Sequence, residues 1–177
     1  DALVCAGYKW LFGPYGCAYA YYSEYFDKGN PIEQNWSNRL GSENLTQLTQ
    51  YQSKYKPLAQ RYAVGESGSF IYVQMQIAAL REVLKINPND LQDYCNSITN
   101  DALDKLEELG FQSHLPELRA KHLFGLKIPS HLNLDKLKSE LIVNDVHVSF
   151  RGEYIRISCH LFNTKAHFEK LVRVITK

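Results

Sequence analysis

Gly7-Tyr8-Lys9-Trp10-Leu11-Phe12-Gly13-Pro14-Tyr15-Gly16 is the stretch on which the reading of this chain turns. Glycine and proline interrupt it, and short apolar runs flank it, residues 2–6 before and Cys17 to Tyr22 after. That pattern predicts two strands around a glycine-rich connection rather than a helix. The unbroken apolar character of both runs predicts strands buried on both faces, as in an α/β sheet. A single lysine, Lys9, stands at a strand end among aromatic residues. Lysine normally keeps its ammonium in water, and one enclosed by apolar groups must lose its charge or find a partner. Desolvation lowers its pKa from about 10.4 and frees the amine as a nucleophile or base. The plain alternative is a lysine snorkelling at a strand edge.

Outward from this stretch, residues 27–68 are rich in Asn, Gln, Ser and Gly and have no sustained period. So long an irregular run points to a functional or interface duty. From Ser69 to Ile86 the positions Val73, Ile77, Leu80 and Leu84 recur at helical spacing and stop before Pro88. A second helix is expected from Asn89 to Glu108, with Leu91, Cys95, Ile98, Ala102, Leu106 and Leu109 on one stripe and Gly110 as its stop. His122 to Ile128 reads as a strand, and Leu134, Leu137 and Leu141 mark a short helix. Val146, Val148 and Phe150 alternate, Arg151-Gly152-Glu153 turns, and Tyr154 to Ser158 completes a hairpin. Asn163 or Thr164 can cap a last helix whose Phe168, Leu171, Val172 and Ile175 face inward. After residue 86 this order describes an α+β arrangement with helices on one face of the sheet.

The chain has 177 residues, with 20 Lys and Arg against 19 Asp and Glu. A net charge of +1 lacks the basic excess of a nucleic-acid binder. The tyrosines between Tyr15 and Tyr25 have no interleaved basic residues, which suggests an aromatic interface rather than a nucleic-acid platform. No apolar run reaches the roughly 20 residues of a membrane helix, and no signal peptide opens the sequence, so neither a membrane nor secretion is expected. Cys5, Cys17, Cys95 and Cys159 form no CxxC pair, which argues against zinc and for reduced thiols in a cytoplasmic protein. His114, His122, His131, His147, His160 and His167 show no ligand spacing, and surface or capping roles are expected for them. The first residue is Asp1 and strand-like sequence follows at once, which reads as a fragment or processed piece.

Four segments together resemble a known family. They are the Lys9 stretch, Pro31-Ile32-Glu33-Gln34-Asn35-Trp36-Ser37-Asn38-Arg39, Arg61-Tyr62-Ala63-Val64-Gly65-Glu66, and Ile155-Arg156-Ile157-Ser158-Cys159-His160-Leu161-Phe162-Asn163-Thr164. In this order they are similar to the class V aminotransferase family of pyridoxal-phosphate enzymes, which has the aspartate-aminotransferase type of fold. The branch they most resemble is the isopenicillin N epimerase-like and selenocysteine lyase-like one. The resemblance implies an α/β fold of type I, of which this chain is the C-terminal part. Residues 1–86 would be the tail of the large cofactor domain, and residues 87–177 a small α+β domain. Strands cut from their parent sheet would then show exposed edges.

The resemblance also implies roles. Lys9 would be the Schiff-base lysine and the base that moves the proton at the substrate α-carbon. Arg156 would hold the substrate α-carboxylate, because a planar guanidinium grips a carboxylate with two parallel hydrogen bonds. Alternation puts Arg156 opposite Ile155 and Ile157, which also suits a surface arginine on an edge strand. Arg151 either assists or only occupies the hairpin turn. Tyr8 stands where relatives have His or Tyr beside the cofactor. Glu66 replaces a threonine that relatives send to the cofactor phosphate, and a carboxylate repels phosphate, so Ser67 or backbone amides would serve instead. Ala6 replaces a phosphate-binding serine, so the phosphate is held by fewer groups than in most relatives.

The family's cysteine desulfurases carry their reactive cysteine on a loop between two arginines. Here only Gly152-Glu153-Tyr154-Ile155 separates Arg151 from Arg156, so the expectation is an enzyme that is not a Cys-loop desulfurase. Cys159 reads as a buried small hydrophobe. The implied whole is a homodimeric enzyme acting on an amino acid by aminotransferase, epimerase or lyase chemistry, with further cofactor residues upstream of Asp1. A selenocysteine- or kynurenine-type lyase is a second reading, and a non-catalytic dimerisation fragment a third.

Overall fold

The computed structural model of the chain describes residues 1–177 apart from Glu66, and they divide into two units, Asp1–Lys85 and Ile86–Lys177. In the first unit, β1 (Ala2–Ala6) and β2 (Ala18–Tyr22) pair antiparallel, from Ala2 opposite Tyr22 to Ala6 opposite Ala18. Both strands are mostly exposed, with Val4 72% and Tyr21 63% accessible, so the expected burial on both faces is not found. Burial of that kind needs flanking strands and two covering layers, and a two-stranded ribbon supplies neither. Short helical turns at Glu24–Phe26, Trp36–Asn38, Leu45–Gln47 and Leu58–Tyr62 punctuate the irregular run that follows. Tyr22, Phe26 and Tyr62 cluster there, and the Tyr62 hydroxyl donates to the Phe26 carbonyl.

Helix α1 (Phe70–Val83) closes the unit. Its expected apolar stripe does not lie inward: Val73, Ile77 and Leu84 are exposed, and the buried side chain of the helix is Gln76. A run as apolar as Phe70-Ile71-Tyr72-Val73 looks inward on every side, so periodicity alone could not select the packed face.

The second unit contains the apolar core. Helix α2 (Pro88–Glu108) starts at Asn87, whose side chain accepts from the Asn89 and Asp90 amides, with Pro88 in the first turn. It buries Leu91, Cys95, Ile98, Ala102 and Leu106 at the expected spacing, with Leu103 beside them. Leu109, expected on the same stripe, caps the helix end and is exposed, because the chain has already turned there toward Gly110. Gly110 ends it at φ +92°: the Gly110 amide donates to the Glu107 carbonyl and the Phe111 amide to that of Leu106. This double closure drives Phe111 inward. Strands β3 (Gln112–Ser113), β4 (Leu123–Lys127), β5 (Ser149–Arg151) and β6 (Tyr154–Ser158) form an antiparallel sheet in the order β3-β4-β6-β5. β3 is too short to leave a pattern in the sequence. Phe124, Leu126, Ile155 and Ile157 point to the core.

Gly152 opens the two-residue β5–β6 turn at φ +56°, which a side chain would strain. Helix α3 (Leu134–Val143) is capped by Asn133 and buries Leu137 and Leu141. Helix α4 (Lys165–Ile175) is capped by Thr164, with His167 in place of the usual acid: its Nδ1 accepts from the Thr164 amide at 3.1 Å. Phe168, Leu171 and Val174 are buried, so Val174 rather than Val172 or Ile175 completes the inner face.

Candidate functional site

Lys9 belongs to the turn between β1 and β2. The Gly7 amide donates to the Cys17 carbonyl at 2.8 Å and the Gly13 amide to the Gly7 carbonyl at 2.8 Å, which closes the loop carrying Lys9. The lysine lies three residues beyond the strand end and is exposed, as in the strand-edge alternative and not enclosed by apolar groups. Closure between Gly7 and Gly13 holds the intervening residues in a tight turn in which Tyr8, Trp10 and Leu11 are half-buried and Lys9 and Phe12 are exposed. Its Nζ lies 5.4 Å from the Tyr8 ring centre, and Tyr8 stacks on Tyr15 at 4.3 Å.

Helix α1 braces this turn from inside the same unit. Gln76, 5% exposed, lies against both Gly7 and Gly13, and Tyr72 lies beside Gly16. A Cβ at Gly13 would come 1.8 Å from the Gln76 Oε1. Sequence reasoning passed over Gln76; the signal available was one amide among the apolar residues Val73, Ile77 and Leu80.

Ser67 is exposed in a turn, and the expectation for Glu66 lies outside the described residues. Next to them, the Gly65 amide donates to Glu33 Oε1 at 2.6 Å, and Asn35 donates to the same oxygen at 3.0 Å. Buried Asn38 donates to the Glu33 carbonyl at 2.9 Å. Glu33, and Asn35 through a bond to the Ala63 carbonyl at 3.2 Å, thus fasten the second resembling segment to the third, while Asn38 holds the second segment to itself. Arg39 donates to the Ser53 carbonyl at 2.8 Å and stacks over Tyr55 at 4.0 Å, so its guanidinium is engaged.

In the second unit Arg156 stands on β6, exposed, between the buried Ile155 and Ile157. Its partners across the ladders are Gly125 and Ser149. Two small neighbours leave the outer face open around the guanidinium, and among the described residues no hydrogen bond or ion pair holds it. Arg151 is exposed at the end of β5 and donates to the Phe150 carbonyl at 2.8 Å.

Behind the sheet, Cys95 and Cys159 are buried, and the Cys95 thiol donates to the Cys159 carbonyl at 3.6 Å. Burial, with Cys95 beside it, pushes the Cys159 thiol up to about 12. His160 is buried and stacks on Phe162 at 5.4 Å, which corrects the expectation of a surface or capping role. His122 contacts the Gln92 amide through Nδ1. Burial lowers both imidazoles below their ordinary value, and the charge of His122 lowers His160 further.

A histidine that resists protonation when folded, but takes a proton near pH 6.5 when unfolded, makes acid favour the unfolded chain. The histidine contribution to stability is therefore complete above about pH 6.5 and is lost as pH falls from there through the folded values. Melting temperatures at pH 7.5 and 5.5 should drop for the parent and drop less for a His122→Gln/His160→Gln variant. An equal drop in both would remove these histidines as the cause.

No family model matches this sequence, and no curated protein matches it. Solved structures do. The apo cysteine desulfurase from Thermococcus onnurineus NA1 is 17% identical with a TM-score of 0.76, over 99% of this chain and 46% of that one. The Escherichia coli cysteine desulfurase CsdA, in its S-sulfonic acid form, is 16% identical with a TM-score of 0.78, over 99% and 45%. An alanine–glyoxylate aminotransferase from Nostoc sp. is 14% identical with a TM-score of 0.62, over 99% and 47%. The fold is that of class V aminotransferase-like enzymes of fold type I, and this chain spans less than half the length of the structures it matches.

The likeness to cysteine desulfurases overturns the expectation that set that activity aside. That expectation rested on the short link between Arg151 and Arg156. Loop length varies among proteins of one fold, so a two-residue turn does not separate this chain from them. No helix among the described residues is long and apolar enough to cross a membrane.

Proposed function

We propose that this chain is part of a pyridoxal-phosphate-dependent enzyme acting on an amino acid, with Lys9 as the amine that holds the cofactor. The observation that carries this reading is the placement of Lys9, an exposed primary amine on a turn closed between two glycines, in a fold matched by enzymes of this class. A reachable primary amine is the donor a carbonyl cofactor needs, so the residues present fit the group. When bound, the cofactor supplies an electron sink for the bonds at the substrate α-carbon. Lys9 would hold it and, once displaced by substrate, take and return the α-proton. In this reading Tyr8, next to Lys9, would serve the ring, and the exposed Ser67 hydroxyl would serve the phosphate. Arg156 would take the substrate carboxylate on two parallel hydrogen bonds, with Arg151 as its second cation.

A homodimer belongs to the same reading. The exposed Tyr15, Tyr21 and Tyr25 offer the aromatic surface that interfaces favour.

Borohydride reduction in the presence of pyridoxal phosphate, followed by peptide mapping, tests the assignment. The pyridoxyl group should concentrate on Lys9 and disappear in Lys9→Ala. Labelling spread evenly over exposed lysines, or a Lys9→Ala protein with the parent level of adduct, would reject it.

A further inference from the structure

We propose that Gln76 is the positioning residue of the Lys9 turn: its buried amide fills the space between Gly7 and Gly13 and thereby sets where Lys9 stands. The proposal rests on the reading of Lys9 as the reactive amine.

Three observations support it. First, Gln76 is the buried residue of α1, while Ile71, Val73, Met75 and Ile77 around it are exposed, so the helix meets the Gly7 and Gly13 backbone through this amide, with Tyr72 beside Gly16 further along the turn. Second, the amide occupies the place of two missing side chains. An ideal Cβ at Gly13 would come 1.8 Å from Oε1 and 2.7 Å from Nε2, and one at Gly7 would come 2.8 Å from Oε1. Neither glycine has a positive φ, so close approach rather than backbone conformation accounts for both. Third, neither amide atom has a hydrogen bond of ordinary geometry among the described residues. The Tyr19 phenol is close enough for the amide to oppose the rise that burial and Cys17 impose on it. A buried amide without firm partners is costly, and its return here is contact with the two glycines that bracket Lys9.

The arrangement is steric and therefore reciprocal. Removing the amide should free the turn. A methyl at Gly13 should displace the amide, because Oε1 stands in its place. Making both changes should restore contact, because the new methyl enters the vacated space.

The experiment reads the pyridoxyl label on Lys9 against that on Lys28 and Lys54, exposed lysines of the same unit. Gln76→Ala and Gly13→Ala should each lower the Lys9 ratio about tenfold, and the double variant should return it to within about twofold of the parent. Gln76→Met, a flexible side chain of similar size, should keep the parent ratio and covers the case in which Gln76→Ala unfolds. A second readout needs no cofactor: exchange of the residue 13 amide, bonded to the Gly7 carbonyl, should quicken about tenfold in Gln76→Ala and recover in the double variant.

A parent that labels Lys9 no more than Lys28 rejects the reactive-amine reading, and the exchange rates then decide the positioning role alone. Additive losses in the double variant, a Gln76→Met protein as impaired as Gln76→Ala, or single variants with parental label ratio and exchange would overturn the proposal.

Discussion

If Arg156 holds the substrate carboxylate as proposed, Arg156→Ala should lower kcat/KM for amino-acid substrates of the complete enzyme by about thirty- to eight-hundredfold, equivalent to about 2–4 kcal/mol. The size follows from losing a charge-assisted, two-pronged contact, not a single hydrogen bond. The geometry leaves the side chain free for it: Arg156 stands on the outer face of β6 between Gly125 and Ser149, and no described group engages its guanidinium. Arg156→Lys should recover only part, because an ammonium is a point charge without the planar fork. Stability should move within about 0.5 kcal/mol in either variant, as for exposed positions elsewhere. An unchanged kcat/KM in Arg156→Ala would reject the carboxylate role. If Arg151 shares the load, the Arg151→Ala/Arg156→Ala protein loses more than the two single losses combined.

Phe111→Ala destabilises the second unit by about 3–5 kcal/mol, the range for removing a well-packed aromatic ring from a core. Phe111 is 2% exposed and follows directly on the glycine that ends α2. Its loss therefore leaves a cavity and also removes the apolar contact that anchors the helix end. Denaturant unfolding followed by far-ultraviolet circular dichroism measures this, and a loss under about 1 kcal/mol would show that the site collapses around the smaller side chain.

Most of the second unit could be read from its sequence because its helices and its hairpin each obey one period and one cap or turn signal, whereas the two-residue β3 leaves none. The stripe of α2 runs unbroken from Leu91 to Leu106, Asn87 and Gly110 mark its ends, and Arg151-Gly152-Glu153 signals the hairpin. The last helix was placed correctly, but Val172 and Ile175 were expected on its inner face where Val174 stands, since the three apolar side chains look alike until packing selects one. The first unit was harder. Its apolar residues predict burial, but burial is supplied by neighbours, and β1, β2 and α1 have few. The glycines and aromatics drew notice to Lys9, and only the resemblance of the segment gave it a role, whereas its exposure depends on how Gly7 and Gly13 close the turn. Gln76 contributes no motif at all; its importance appears only when the space beside the two glycines is seen to be filled.

The buried Leu, Ile, Val and Phe side chains of the described residues all belong to the second unit, from Leu91 to Val174. Backbone amides should therefore exchange with solvent deuterium on two separate schedules. Those of β4 and β6, whose ladder is flanked by core residues on the helix side, open only when that unit unfolds as a whole. Those of the short turns at Trp36–Asn38 and Leu45–Gln47, held by asparagine side chains at the surface, open one at a time at a small fraction of that cost. The turn that carries Lys9 lies in the first unit, on the fast-exchanging side of this divide, where adjusting it does not require breaking the core.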